Sequence, residues 1–339
     1  MTRKKQLTTS MPGKKNIAFV TGGYSGESVI SYKSAITIEN NLDNDKYNIY
    51  KIDITPQGWW YIDEDGRRTA VDRSCFTLDF DGRHIRFDAV FIGIHGTPGE
   101  DGKLQSYFDL LHIPYTSCDA ATSALTFNKR YTVAVASFAG VNVAKSVHLF
   151  KHNADRGIGN LQMPVFVKPN NGGSSIGMSK VTKHEDLPAA LEKAFKEDDQ
   201  VLVEEFIEGR EFTIGVFRTQ GEIMTLPFTE IKTHKEFFDF EAKYTPGMSE
   251  ETTPAQVEES IAEKVRAAAK KVYSVFNCSG IVRMDFIYNE AKGAPFLLEI
   301  NTVPGQSEAS IVPQQVKAMG WTLKEFYSRL IEECLTLKQ

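Results

Sequence analysis

A chain of 339 residues is too long for one ordinary core and implies two or three domains of roughly 100 to 150 residues each. With 41% hydrophobic and 24% charged residues it has the composition of a water-soluble globular protein, and its formal net charge of −5 argues against a general nucleic-acid binder, which would carry a basic face. No apolar run approaches the ~20 residues that cross a bilayer, and the four cysteines lack C-x-x-C spacing, so no membrane span, zinc site or disulfide framework is expected and a reducing cytoplasm is the natural compartment.

Residues 1–15 hold several Lys and Arg and no acid, and read as a disordered tail with Met11 as a second candidate start. From Asn16 the pattern is α/β. NIAFVTGG is a buried strand ending in glycines; Ser25 to Leu42 reads as a helix with Val29, Tyr32, Ile36 and Ile38 on its apolar face; Tyr47 to Ile54 is the next strand. The loop between strand and helix, GGYSGES, lacks the dinucleotide pattern G-x-G-x-x-G and so disfavours a nicotinamide-dependent oxidoreductase. Glu27 falls in the first helical turn. A carboxylate there favours the helix dipole, and at the mouth of a crevice it can also grip a substrate ammonium group.

Asp88 to His95 is another buried strand, and the loop after it, HGTPGEDG, stands at the carboxyl end of a strand, where such sheets place their sites; His95 is a candidate lining residue. Lys103 to Ile113 reads as a helix, IPYTS as a short strand, and Asp119 as the start of a helix that contains Asn128 and Lys129. Pro164 to Lys168 and Ser179 to Val181 are strands joined by NNGGSSIGM. A P-loop would open a helix after G-K-[ST]; a Gly and Ser loop between strands can instead fold over phosphates, with Lys168 supplying a point charge. Thr182 and Glu185 form a capping-box pattern for the next helix.

In QVLVEEFIEGREFTIGVF two strand-like runs flank Gly209. Backbone groups near Glu205 to Ile207 are candidates for an adenine edge, and Glu211 for ribose hydroxyls. Lys232 to Thr253 has little periodicity, carries Lys243 beside Tyr244, and reads as a lid. Thr253, Pro254 and Gln256 look like the start of a long helix with Val257, Ile261, Val265, Ala268 and Val272 facing inward. Ile281 to Tyr288 and Pro295 to Ile300 then read as a hairpin. Alternation puts Arg283 and Asp285 on one face and Glu299 and Asn301 on one face of the returning strand. Two carboxylates and an amide oxygen are the hard ligands Mg²⁺ prefers, and an arginine beside them can hold a developing oxyanion. TVPGQSEASIVP reads as a turn-rich loop, and Thr322 to Leu335 as a final amphipathic helix.

In that order these features resemble the ATP-grasp superfamily and, within it, the D-alanine:D-alanine ligases, over nearly the whole chain from Asn16. SALTFNKR, VKPNNGGSSIGMSK, EGREFT, DFEAKY, RMDF, LLEINTVPG and EASIVP are all similar to that family's motifs. The resemblance implies an α/β ATP-grasp fold. An N-terminal domain with a doubly wound, Rossmann-like parallel sheet (16–117) would precede two α+β subdomains (118–208 and 209–339, with the lid at 232–253) that sandwich ATP.

It also implies roles. Lys129 and Lys168 would contact the ATP phosphates; Ser174 and Ser175 would lie in the loop that covers them; Glu204, Glu205, Phe206 and Ile207 would meet the adenine and Glu211 the ribose; Phe237, Lys243 and Leu298 would complete the ATP site. Asp285, Glu299 and Asn301 would hold two Mg²⁺ ions, with Mn²⁺ as a substitute. Glu27 would anchor the first D-alanine, within a network that includes Ser174 and Tyr244. His95, Arg283 and Gly305 would face the reacting groups, and Ser310 and Ile311 the second D-alanine. The family often has an arginine after the anchoring glutamate, where this chain has Ser28. D-alanyl-D-alanine synthesis for peptidoglycan follows, in the cytoplasm, with a homodimer as the assembly the family implies. A D-lactate or other amino-acid acceptor, or an ATP-binding protein without ligase activity, remains as an alternative.

Overall fold

The structure, a computed structural model, describes residues 13–173, 175–233 and 249–336, without the side chains of residues 155, 156, 233 and 249. Alternation along β1 (Lys15–Gly22) gives it two buried faces. Ile17 and Phe19 pack with Ala35 and Ile38 of α1 (Ser28–Asn41), while Ala18 and Val20 pack with Leu104 and Phe108 of α2 (Lys103–Leu110). Beside β1 lie β2 (Tyr47–Thr55) and β7 (Ala89–Ile92), both parallel to it; β3 (Gly58–Ile62) and β4 (Arg68–Ala70) extend the β2 edge in antiparallel fashion. A separate hairpin pairs β5 (Thr77–Phe80) with β6 (Arg83–Arg86). The sheet is thus parallel and doubly wound at its centre, with an antiparallel margin.

The face that α1 buries differs from the one its apolar periodicity predicts. Val29, Tyr32 and Ile36 are exposed, and Ser31, Ser34, Ala35 and Ile38 are buried. The reason is polar and steric: small serines let the helix approach, and Ser31 Oγ accepts the His95 N–H at 2.9 Å while Ser34 Oγ pairs with His95 Nε2 at 2.9 Å.

Two helices follow, α3 (Ala120–Phe127) and α4 (Lys129–Phe138), where the sequence pattern predicts one. Asp119 caps the first by accepting the Thr122 N–H, and Asn128, extended at φ −100° and ψ 106°, restarts the chain by accepting the Tyr131 N–H. The second sheet comprises β8 (Ser146–Phe150), β9 (Val165–Pro169), β10 (Ser179–Val181) and β11 (Gln200–Glu205), in the order β10-β9-β11-β8, with α5 (Leu187–Ala194) on its apolar face. A single 3-10 turn, His184–Asp186, leads into α5 in place of the Thr182 and Glu185 box, and no side-chain hydrogen bond caps α5.

The third sheet holds β12 (Arg210–Thr219), β13 (Glu222–Thr225), β14 (Thr229–Thr233), β15 (Ser249–Thr252), β16 (Val282–Asn289) and β17 (Ala294–Asn301), in the order β15-β14-β12-β16-β17 with β13 beside β12. The lid span therefore has strands at both ends. Helix α6 (Glu259–Val275) covers this sheet through Ala262, Val265, Ala269 and Val272; it starts five residues after Pro254 rather than at it, and the Gln256 side chain donates to the Pro254 carbonyl before it. The stretch read as turn-rich runs at its end into the first turn of α7 (Ile311–Ala318), and the described residues end in α8 (Leu323–Thr336). Phe326 and Leu330 of α8 join one core that runs from Ile17 and Phe91 of the first sheet to Phe217 of the third. That shared core holds the loops after β1 and β7 over the end of the β16–β17 hairpin.

Candidate active site

The hairpin brings its polar residues to one corner. In its register Asp285 stands opposite Glu299 and Arg283 opposite Asn301, and a bulge after Asp285 shifts the pairing so that Leu298 has no partner and turns toward the cleft beside Glu299. Arg283 bridges the carboxylates: its guanidinium donates to Asp285 Oδ2 at 2.8 Å and to Glu299 Oε1 at 3.3 Å. Thr213 on β12 donates to Asp285 as well. Burial alone would lower the Arg283 pKa, and the Asp285 and Glu299 charges outweigh it, so the guanidinium stays charged. Among the described residues no group of three or more His, Cys, Asp and Glu is arranged to hold a metal. What this corner offers is a pair of carboxylates with the Asn301 amide, whose Oδ1 also accepts the Val303 N–H at 3.1 Å. Hard oxygen donors of this kind fit a divalent cation such as Mg²⁺.

A cavity of about 450 Å³ opens on this corner, lined by Glu27, His95, Arg283, Gly305, Ser310 and Ile311, with Glu100 in its wall. Glu27 sits immediately before α1, and its carboxylate lies between two bare backbones, Gly96 and Gly173, where a Cβ on either would strike it. Burial raises the Glu27 pKa, Lys129 opposes that rise, and Glu299 adds to it. His95 is in the cavity wall, but its Nε2 is taken by Ser34 and its backbone N–H by Ser31; burial pushes its pKa down to about 4, so it is a neutral cross-brace. Ser310 stands before α7 with its hydroxyl 2.7 Å from that of Ser307 and does not cap the helix, whose first residues, Ile311 and Val312, also line the cavity.

A second cavity of about 440 Å³ lies between the second and third sheets, and Lys129, Gly173, Asp285, Leu298 and Glu299 border both. The restart at Asn128 matters here. Asn170, where the Gly and Ser loop leaves β9, accepts the Lys129 N–H on its carbonyl and the Arg130 N–H on its side chain, and Lys129 Nζ donates to the Gly172 carbonyl at 2.6 Å. The α4 start and the loop are therefore one unit. Lys168 on β9 and Glu204 on β11 form a buried ion pair at 2.5 Å; burial would lower the lysine pKa, and Glu204 more than offsets it. Ser175, in the left-handed region at φ 57°, and Glu211 also line this cavity. The Glu205 and Phe206 N–H groups already donate to the Lys145 and Pro164 carbonyls, and Lys180 sits 4.6 Å above the Phe206 ring.

Ser174, Phe237, Lys243 and Tyr244 lie outside the described residues. Sequence reasoning passed over Thr213, which only strand pairing brings to Asp285, and Phe166 and Ile287, apolar walls of the second cavity. It also passed over Glu100, although the loop that carries it, HGTPGEDG, stood out by its glycines and ionisable groups.

The sequence matches the family model for the D-ala D-ala ligase N-terminus over residues 16–118 and that for the D-ala D-ala ligase C-terminus over residues 127–332. It is 43% identical over 321 residues to the D-alanine--D-alanine ligase of Flavobacterium johnsoniae, covering 94% of this chain and 98% of that one. In fold it is similar to the VanG D-Ala:D-Ser ligase of Enterococcus faecalis, with TM-score 0.83 at 32% identity over 94% of this chain and 99% of that one. It is also similar to a Bacillus anthracis D-alanine--D-alanine ligase complexed with ATP, with TM-score 0.73 at 26% identity over 95% and 97% of the two chains. Two family models over most of its length and a relative of this identity mean that the chain belongs to the D-alanine–D-alanine ligase family, with that family's ATP-grasp fold.

Proposed function

We propose that this chain joins two D-alanines to D-alanyl-D-alanine with ATP, through D-alanyl phosphate, and so supplies a dipeptide for peptidoglycan. The observation that carries this reading is the common wall: Lys129, Gly173, Asp285 and Glu299 border both cavities, so a phosphoryl donor on one side and a carboxylate on the other can meet there. The cytoplasm is the compartment and a homodimer the assembly we expect, with no nucleic-acid or membrane partner. The units at 16–117, 118–208 and 209–339, with the lid at 232–253, are the domains of this reading.

Glu27 holds the ammonium group of the first D-alanine, leaving its carboxylate toward the shared wall. Lys129, Lys168, Ser175 and, from outside the described residues, Ser174 and Lys243 hold the phosphates. Glu204 and the backbone at Ile207 meet the adenine, with the Glu205 and Phe206 donors already engaged; Glu211 takes the ribose, and Leu298 and Phe237 close on the nucleotide. Asp285, Glu299 and Asn301 would hold two Mg²⁺ ions, or Mn²⁺, which when bound neutralise phosphate charge. The second D-alanine enters at Ser310 and Ile311 with its carboxylate on the α7 start, and its neutral amine attacks the acyl carbon. Arg283 and the Gly305 N–H hold the oxyanion that develops, and phosphate leaves. His95 braces α1 through Ser31 and Ser34, and Tyr244, outside the described residues, would tie the lid to Glu27.

The test is to incubate the purified chain with ATP, Mg²⁺ and D-alanine and to measure phosphate release and dipeptide together. Equal amounts of both are expected. ATP binding with no dipeptide would leave only a nucleotide-binding protein. A second reading, D-serine as acceptor, is favoured by the likeness in fold to the VanG ligase, and a mixed product in D-serine competition would support it.

A further inference from the structure

Glu100 lies in the loop that begins at His95 and has no part in the roles above. Its side chain is buried, with 8% of the residue exposed, in the wall of the cavity that holds Glu27 and Arg283. Oε2 accepts the Gly96 N–H at 2.5 Å. The loop closes on Gly96 a second time, because the Gly96 carbonyl accepts the Gly99 and Glu100 N–H groups at 2.9 and 2.8 Å. Gly96 itself sits at φ +67° with no room for a side chain, since the Glu27 carboxylate and Ser25 Oγ fill that space.

We propose, on the reading of function given above, that Glu100 is a positioning residue for the first substrate: by gripping Gly96 it fixes the backbone surface on which the Glu27 carboxylate rests. The chain of contacts is short and directional. Glu100 sets Gly96, Gly96 limits where Glu27 can lie, and Glu27 meets the ammonium group. A displacement of about 1 Å in such a frame costs on the order of a hundredfold in rate. Burial, and then the neighbouring Glu27, push the Glu100 pKa up to about 8, with the Gly96 bond and Arg283 acting the other way. At neutral pH it therefore grips as an uncharged acid and sets no second anion beside Glu27. Glutamine has the same length and the same acceptor oxygen, so it reproduces this grip; alanine leaves the Gly96 N–H without its partner.

The two D-alanine KM values, the ATP KM and kcat are measured for wild type, Glu100→Ala and Glu100→Gln, with melting temperatures for all three. Glu100→Ala is expected to raise the KM of the tighter D-alanine site by about tenfold or more, the scale of one buried hydrogen bond, with the ATP KM within about twofold, and Glu100→Gln to restore the first-site KM to within about threefold of wild type. Should Glu100→Ala not fold, Glu100→Asp, which withdraws the carboxyl by one methylene, replaces it under the same expectation. An unchanged first-site KM, an equal rise in the ATP KM, or a Glu100→Gln enzyme as poor as Glu100→Ala overturns the positioning role alone. A wild type that makes no dipeptide overturns the reading of function beneath it.

Discussion

The Glu27 carboxylate lies against the bare Cα of Gly173, so close that a Cβ there would stand 2.8 Å from Glu27 Oε1, and among the described residues only this carboxylate fills that space. The contact joins the residue before α1 to the loop that leaves β9, so the two halves of the cleft share one wall. Gly173 does not sit at positive φ, and alanine therefore meets a steric conflict with Glu27 and no backbone strain. Gly173→Ala is expected to raise the KM of the first D-alanine by about tenfold or more and the ATP KM by much less. Glu27→Asp draws the carboxylate back, so adding Gly173→Ala to it should cost little further. Full additivity of the two changes in a double-mutant cycle would show that they do not touch in the working enzyme.

Arg283 donates to Asp285 and Glu299 together, yet as the proposed oxyanion partner its strongest contact forms only as charge develops on the acyl oxygen. Arg283→Ala should lower kcat by about a hundredfold or more while ATP affinity changes by less than about fivefold. Arg283→Lys keeps the charge but not the fork that spans two carboxylates, and should recover only a small part of the activity. Losses of ATP affinity and turnover of the same size would make the arginine a nucleotide-site residue.

What could be read from the chain was what is local in it. The hairpin from Val282 to Asn301 was legible because strand alternation alone places Arg283 with Asp285 and Glu299 with Asn301, and the register then aligns the two pairs. The bulge that turns Leu298 into the cleft has no sequence signal of that kind. The buried face of α1 was misread because serine hydroxyls on His95, rather than side-chain hydrophobicity, decide it. Helix α7 was hidden by Pro313, which is tolerated in a first turn, and by its brevity, and the strands from Gly58 to Arg86 by their short length and mixed aromatic and charged make-up. Glu100 escaped because what gives its local bond to Gly96 a meaning, the Glu27 carboxylate lying against Gly96, comes only when the loops after β1 and β7 meet in the fold.

Lys168 and Glu204 have side chains only 14% and 8% exposed. A buried pair of this kind is costly to break from one side, because the remaining charge has no partner. Lys168→Met is expected to lower unfolding stability by about 3 to 5 kcal/mol and to weaken ATP binding. Replacing both, Lys168→Met with Glu204→Leu, should recover most of the stability and none of the ATP affinity. Urea unfolding followed by far-UV circular dichroism measures the first, and nucleotide titration the second. A single mutant within about 1 kcal/mol of wild type would mean that the pair is open to solvent in the working protein.

The pH dependence of stability follows from Glu100 and His95, which sit in one buried cluster with opposite signs. Burial raises Glu100 from an ordinary 4.5 to about 8, so between those values the folded state holds a proton that the unfolded chain has lost, and stability falls as pH rises through this window. Burial lowers His95 from 6.5 to about 4, so between those values the unfolded chain takes up a proton that the folded state refuses, and stability falls as pH drops. From pH 4.5 to 6.5 the two slopes oppose one another. Above pH 6.5 the histidine is neutral in both states and only the Glu100 slope remains. Between pH 6.5 and 8 wild type is therefore expected to lose about 2 kcal/mol more stability than Glu100→Gln, at about 1.4 kcal/mol per pH unit for one proton. Urea unfolding of both proteins at half-unit steps measures the difference. Parallel curves across that window would mean that Glu100 is already ionised in the folded protein, held by the Arg283 charge and the Gly96 N–H rather than as a neutral acid.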